Sequence, residues 1–153
     1  MSLLSLTVEL VAGVGHTDKR GVAILRGDDD LNAGPQYDKI ESSSLGKRLR
    51  HRMGLWISGV QDMRGKFHRF KAGDAKHRDC FAFIDLEEKV RLYGFTCHPL
   101  PITNQRFELV VLTTHAFKKE NETDKAELER VVMWRNHMAT RQALREKFPD
   151  KKD

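Results

Sequence analysis

A strand, a polar junction and a helix follow one another between residues 107 and 131, and this order constrains the fold more than any other part of the chain. The run FELVVL (107–112) is short, apolar and rich in β-branched residues, which predicts a largely buried strand. Asn121 or Thr123 then supplies an N-cap oxygen with acidic residues behind it, so a helix is predicted to begin there. Loops held between such rigid elements commonly carry functional side chains.

Two further strands are predicted just upstream, at 80–84 and 90–97, joined by a tight acidic turn. A loop at 98–106 leads to the strand at 107–114. Such short connections favour antiparallel pairing of successive strands. The final helix, about 123–147, has an apolar stripe that should face the sheet. The stripe consists of Leu128, Val131, Val132, Trp134, Met138 and Leu144.

The N-terminal part predicts a β-hairpin and a loop. Residues 3–14 and 21–26 contain apolar, β-branched runs, and turn residues at 15–18 separate them. The segment DDDLNAGPQ (28–36) is dense in turn formers, which predicts an exposed loop. We therefore interpret residues 1–41 as an N-terminal hairpin extension.

A basic helix is predicted next, at 45–53, with its cap among Ser42–Ser44 and Gly54 as the residue that ends it. A strand at 55–60 and a basic loop reaching Arg78 are expected to follow. The predicted fold class is thus α+β: an antiparallel sheet with a basic helix before it and a long helix after it.

One domain accounts for all 153 residues, with 42–147 as its core and 148–153 as a frayed tail. No apolar stretch approaches the ~20 residues that a membrane span needs. The N-terminal run lacks a basic leader and soon meets Glu9, so it is a poor signal peptide. We expect a cytoplasmic protein with no membrane partner.

Positive charge is concentrated in the middle of the chain. Twenty-seven Lys and Arg against 22 Asp and Glu give a net charge of +5, which favours an anionic partner. The segments KRLRHR (47–52) and RGKFHRFKAGDAKHR (64–78) are either solvated faces or part of a polyanion surface, to which Lys and Arg supply most phosphate contacts. The candidate RNA-contacting residues are Lys47, Arg48, Arg50, Arg52, Lys66, Arg69, Arg78, His98 and Arg106.

Alternation along the strand at 90–97 puts Arg91 and Tyr93 on one face. Arg91 either pairs with Asp85 or Glu87 across the turn, or presents its guanidinium group to a phosphate. Tyr93 is either an ordinary sheet aromatic or a base-stacking or acid group. Under any of these interpretations, the strand at 90–97 carries polar side chains among apolar ones.

A zinc site has little support. Cys80 and Cys97 are the only cysteines, and both fall inside predicted strands, where a reduced thiol behaves as a small apolar side chain. Together with His98 and His115 they lack the close pairs at which zinc ligands are usually spaced. We expect no metal and no cofactor.

Known nucleotide-binding loops, nucleophile elbows and H-E-x-x-H motifs are absent from the sequence. The side chains that remain as candidates for catalysis are Lys, Arg, His and Tyr. Cleaving RNA without a metal requires removing the 2′-OH proton, stabilising charge on the phosphate and protonating the leaving 5′-oxygen. His can transfer these protons, while Lys and Arg hold the charge. The candidate catalytic residues are Arg91, Tyr93, His115, Lys118 and Lys119.

The same junction resembles the C-terminal motif of the phage-derived HigB-like branch of the RelE/ParE toxin superfamily. The motif positions are filled by Phe117, which is displaced by one place, and by Lys118, Lys119, Thr123, Glu127, Leu128 and Val131, the last where the family usually has Ala. The family proline is Asp124 here, and VRLYGF (90–95) resembles a family strand that carries an arginine at the position of Arg91. The resemblance covers about residues 78–145.

The resemblance implies a RelE-like fold and a toxin of a type II toxin–antitoxin system that cuts mRNA on translating ribosomes. The implied partners are mRNA, the ribosome and a cognate antitoxin protein. We expect Arg91, His115, Lys118 and Lys119 to converge on one phosphate-sized site. The alternative is a non-catalytic RNA- or protein-binding phage or mobile-element protein on the same scaffold.

Overall fold

The computed structural model describes residues 5–17, 19–61, 63, 66–69, 77–99, 107–117 and 125–148. They form an α+β fold with one mixed sheet. The elements are β1 (Thr7–Leu10), β2 (Arg20–Arg26), α1 (Ala33–Ile40), α2 (Ser44–Ile57), β3 (Phe67–Arg69), β4 (Cys80–Asp85), β5 (Val90–Cys97), β6 (Glu108–Phe117), α3 (Lys125–Asn136) and α4 (Met138–Lys147).

The sheet has the strand order β1-β2-β6-β5-β4-β3. The predicted hairpin is confirmed as β1–β2, and the predicted antiparallel meander is confirmed through β4, β5 and β6. The expectation of an entirely antiparallel sheet is wrong, because β2 pairs with β6 in parallel. The N-terminal hairpin therefore belongs to the sheet itself.

Helices cover both faces of the sheet. On one face α1 and α2 pack on a core that includes Val90, Leu92 and Leu112. On the other face α3 and α4 pack on a core that includes Tyr93 and Phe95. The predicted alternation of β5 is thus confirmed, and it assigns each side chain of β5 and β6 to one of two buried layers.

A β-bulge changes the alternation of β6. Leu112 pairs with Gly94, but Thr114 pairs with Tyr93, so Thr113 is the extra residue. Glycine is required at position 94, because a Cβ there would collide with the carbonyl oxygen of Val111. Beyond the bulge, each side chain of β6 points to the face opposite to the one that simple alternation from Val111 would give.

Helix α2 is longer than predicted. It runs from Ser44 to Ile57, so Gly54 lies inside it and the predicted strand at 55–60 is wrong. Trp56 and Ile57 are buried with the earlier apolar residues of α2, because they continue its helical stripe. The predicted loop at 28–36 is wrong in part, since α1 begins at Ala33.

The single C-terminal helix predicted over 123–147 is two helices. His137 interrupts it, and its imidazole Nδ1 accepts a hydrogen bond of 3.0 Å from the Ala139 N–H at the start of α4. Trp134 is buried against the sheet as predicted, whereas Met138 is 82% exposed because α4 begins a new helical phase there. None of the helices in the described ranges is long and apolar enough to cross a membrane.

Candidate functional site

The candidate site lies where β6 runs past its neighbour β2. Pairing between these strands ends at Ile24 and Leu112, while β6 continues to Phe117. Beyond Leu112, the residues before α1 lie along the edge of β6 that β2 no longer pairs with. Helix α1 also packs on β6. The end of β6 is therefore held by α1 and β5.

His115 is the ionisable side chain at this end. Its backbone N–H donates a hydrogen bond of 2.9 Å to the Asn32 side-chain oxygen. Its imidazole is half-buried, and Nδ1 has no hydrogen-bond partner among the described residues. The ring of Phe117 meets it edge to face at 5.5 Å. His115 thus has an anchored main chain and a half-buried ring whose Nδ1 is buried without a partner among the described residues.

Burial lowers the pKa of His115 below its ordinary 6.5, because it disfavours the imidazolium. A hydrogen bond to the Asn32 backbone and the charge of Glu127 act in the opposite direction, and the positive charge of Lys39 lowers the pKa further. At neutral pH the imidazole is uncharged and can accept a proton.

The lowered pKa predicts a pH dependence of stability. Below pH 6.5, residue 115 takes up a proton in the unfolded chain more readily than in the folded protein. The free energy of unfolding is therefore higher above pH 6.5 and decreases as the pH falls toward the folded pKa of His115. Urea unfolding should show a larger loss between pH 7.5 and 5.5 in the wild type than in His115→Gln. Equal losses in the two proteins would show that the pKa of His115 is not lowered.

Two other side chains complete the site. Phe117 is 65% exposed, which is unusual for a large apolar side chain and leaves its ring open to solvent. Lys39 is exposed on α1 and near enough for its charge to act on His115. An imidazole, an aromatic ring and an ammonium group are the components that bind an unpaired base and a phosphate and move a proton.

The predicted convergence of Arg91 with His115 is wrong. Arg91 pairs with Ala116 and His115 pairs with Leu92, and directly paired residues point to the same face. Arg91 therefore lies on the α3 and α4 face and is only 4% exposed, while His115 lies on the α1 and α2 face. The bulge causes the separation, because simple alternation would have put both on one face.

Tyr93 is also excluded from direct contact with RNA. It is 0% exposed in the core beneath α3 and α4, where it acts as a sheet aromatic. The predicted residues Lys118 and Lys119 lie outside the described residues.

The predicted phosphate-contacting face of α2 is largely an internal ion-pair network. Arg48 and Arg52 donate hydrogen bonds of 3.0 and 2.7 Å to the fully buried Asp85 carboxylate. Arg50 donates instead to the Tyr37 hydroxyl and the Glu41 carbonyl. These three arginines hold α2 to the sheet and to α1, and the contact with RNA predicted for them stays a prediction. Lys47 is exposed.

Asp85→Asn should lower the free energy of unfolding by about 3 kcal/mol, because it leaves two partly buried arginines without their common partner. Burial alone raises the pKa of Asp85, but hydrogen bonds from Arg48, the Glu88 N–H and Arg52 lower it to about 2. This contribution is present above pH 3.8 and lost as the pH falls toward 2. Glu87→Gln is the control, because that carboxylate is 75% exposed and its pair with Arg48 should contribute little. Equal destabilisation by both substitutions in chemical denaturation would contradict this role of Asp85.

The remaining candidates lie at both ends of the sheet. Exposed Lys66 directly precedes β3 at the same end of the sheet as Phe117, about 14 Å away by strand spacing. Exposed Arg78 lies at the opposite end, beside the start of β4. His98 is there too and donates to the Phe107 carbonyl, so it lies at the other end of β6 from His115. The side chain of Arg69 and all of Arg106 lie outside the described residues.

Sequence reasoning missed Asn32, because it assigned 28–36 to an exposed loop, and it did not predict the helix α1 that carries Lys39. A helix-start pattern was available there: an asparagine followed by Pro35 within the first turn. Among the described residues, no three His, Cys, Asp or Glu side chains are grouped so that they could hold a metal ion. Comparison of the chain with protein-family models, curated proteins and solved structures found no match.

Proposed function

We propose that this protein is a RelE/HigB-like toxin that cleaves mRNA on translating ribosomes, with His115 as its proton-transfer residue. The observation that carries the proposal is the half-buried imidazole beside an exposed aromatic ring at the end of a central strand. A half-buried imidazole with a lowered pKa is uncharged near neutral pH, which is the form that can accept a proton. Lys118 and Lys119 follow Phe117 directly in the sequence.

The reaction needs no group beyond those of the chain, the RNA and solvent water. The uncharged imidazole of His115 accepts the 2′-OH proton as that oxygen attacks the phosphorus. The bond from phosphorus to the 5′-oxygen breaks, the leaving oxygen takes a proton from solvent water, and the imidazolium of His115 returns its proton to solvent, so that a 2′,3′-cyclic phosphate and a 5′-hydroxyl are formed. Lys39 balances the negative charge that develops on the phosphate, and the ring of Phe117 stacks on an unpaired base.

The order of elements supports the same proposal. A helical pair precedes the β3–β6 meander, helices follow it, and β2 returns beside β6. Within residues 78–145, the antiparallel strands β4, β5 and β6 followed by helices fit the arrangement that the resemblance implies, whereas the parallel pairing of β2 with β6 is not part of it. The partners that we propose are ribosome-bound mRNA and an antitoxin protein encoded beside this chain.

One observation favours a second candidate, a non-catalytic RNA- or protein-binding protein on the same scaffold. Arg91, which matches the family arginine, is buried, and three arginines of α2 are engaged inside the protein. A binding protein needs an exposed surface such as that of Phe117 and Lys39 but no proton-transfer group.

Expression in growing bacteria separates the two candidates. The wild-type chain should arrest growth and translation, and His115→Gln should relieve the arrest at equal protein level. His51→Gln is the matched control, because His51 is exposed on α2, and it should remain toxic. Growth unaffected by the wild-type chain, or arrested equally by His115→Gln, would favour the binding protein.

A further inference from the structure

The side chain of Asn32 is directed away from the helix that it begins. Asn32 is the N-cap residue of α1, a position at which asparagine usually accepts a hydrogen bond from the first turn. All residues in the first turn of α1 belong to the described part of the chain, and none of their N–H groups donates a hydrogen bond to the Asn32 side chain. Its oxygen accepts the His115 N–H, 83 residues further along the chain.

The sequence of α1 makes this possible. Pro35 occupies the third helical position and has no N–H, so the helix has one donor fewer for a capping side chain to satisfy. The next helix shows the contrast, because Ser43 at the N-cap of α2 accepts the Gly46 N–H at 3.2 Å. The amide of Asn32 is therefore available for a contact outside its own helix.

His115 needs such a contact. Parallel pairing with β2 ends at Leu112, so the edge of β6 beyond that residue has no β2 partner. The Asn32 oxygen provides an acceptor there, and the Asn32 backbone lies near enough to the imidazole to raise its pKa. One residue thus holds the main chain of His115 and influences its side chain.

We infer that Asn32 is a positioning residue that fixes the imidazole of His115 against α1 for proton transfer. As a role in catalysis, this inference rests on the proposed function, but the placement of the ring can be tested without it. Misplacing a catalytic group by about 1 Å can slow a reaction by about 100-fold, so an anchor of this kind matters even though it does not touch the substrate.

The test compares Asn32→Ala with Ser43→Ala. Each substitution removes one side-chain acceptor from one backbone N–H, and each should lower the melting temperature by about 2–4 °C. Only Asn32→Ala should move the NMR titration of His115, upward toward 6.5 as the ring gains water, and slow RNA cleavage by about 10- to 100-fold. If both variants melt at lower temperature while the His115 titration and the cleavage rate stay as in the wild type, the Asn32 hydrogen bond only stabilises the fold and the inference is overturned.

A second variant covers the case in which Asn32→Ala fails to fold. Asn32→Asp keeps an acceptor for the His115 N–H and adds a carboxylate beside the ring, so the titration of His115 should move upward. An unchanged titration would place the side chain at position 32 away from the imidazole and overturn the inference. If the wild-type chain cuts no RNA, the proposed function fails, and these titrations still decide whether Asn32 positions His115.

Discussion

Replacing His115 by glutamine should slow single-turnover cleavage of ribosome-bound mRNA by about 10²- to 10⁴-fold, the range usual for the loss of a general acid–base group. Glutamine keeps the size and polarity of the side chain but cannot take up the proton. The fold should persist, because the hydrogen bond to Asn32 uses the backbone N–H of residue 115. Circular dichroism and the melting temperature check this point.

Two controls isolate the chemistry. His51→Gln removes an exposed histidine from α2 and should leave the rate unchanged. Lys39→Ala should slow cleavage less than His115→Gln, because it removes one charge near the site and leaves the proton acceptor in place. A His115→Gln rate equal to that of the wild type would exclude this residue from proton transfer.

Trp134→Ala should lower the free energy of unfolding by about 3–5 kcal/mol, which is a large share of the stability of an ordinary domain. Trp134 is 2% exposed and packs in the core between α3 and the sheet. Its ring also lies 5.4 Å from that of His137, where α3 ends. The substitution therefore leaves a cavity and loosens the junction between α3 and α4.

Met133→Ala is the matched control for Trp134→Ala, because Met133 is the preceding residue of α3 and is 43% exposed. Its effect should stay within about 0.5 kcal/mol, as is usual for surface positions. Equal midpoints of urea unfolding for the two variants would contradict the helix orientation.

The meander and its faces could be predicted from the sequence because their signal is local. The runs at β4, β5 and β6 are apolar and β-branched, and short connections leave antiparallel pairing as the simplest arrangement. Alternation then placed Tyr93 and Phe95 on one face correctly. The hairpin β1–β2 was predictable for the same reason.

The candidate site was predicted only in part, because one bulge decides which face its residues occupy. Alternation from Val111 would put His115 on the face of Arg91, and the extra residue Thr113 reverses this. Gly94 was the available signal, since glycine inside a strand often marks a bulge. The parallel pairing of β2 with β6 joins residues far apart in the sequence, so no local pattern could reveal it.

Charge patterns did not reveal the internal ion pairs of α2. The run KRLRHR gives no indication that Arg48 and Arg52 would bind Asp85, because the partner lies more than 30 residues away. The sequence also does not show that Trp56 lies in a helix, because the apolar residues around it fit a strand and a buried helix equally well. In both cases tertiary packing, which local sequence does not encode, decided the outcome.

The chemical end groups of RNA cut by the wild-type chain test the central claim most directly. Cleavage through the 2′-OH should leave a 2′,3′-cyclic phosphate on one fragment and a 5′-hydroxyl on the other. A single 2′-deoxy substitution at the cut site in ribosome-bound mRNA should then abolish cleavage there. Fragments with 3′-hydroxyl and 5′-phosphate ends, or undiminished cutting at the deoxy position, would contradict a mechanism in which His115 removes the 2′-OH proton.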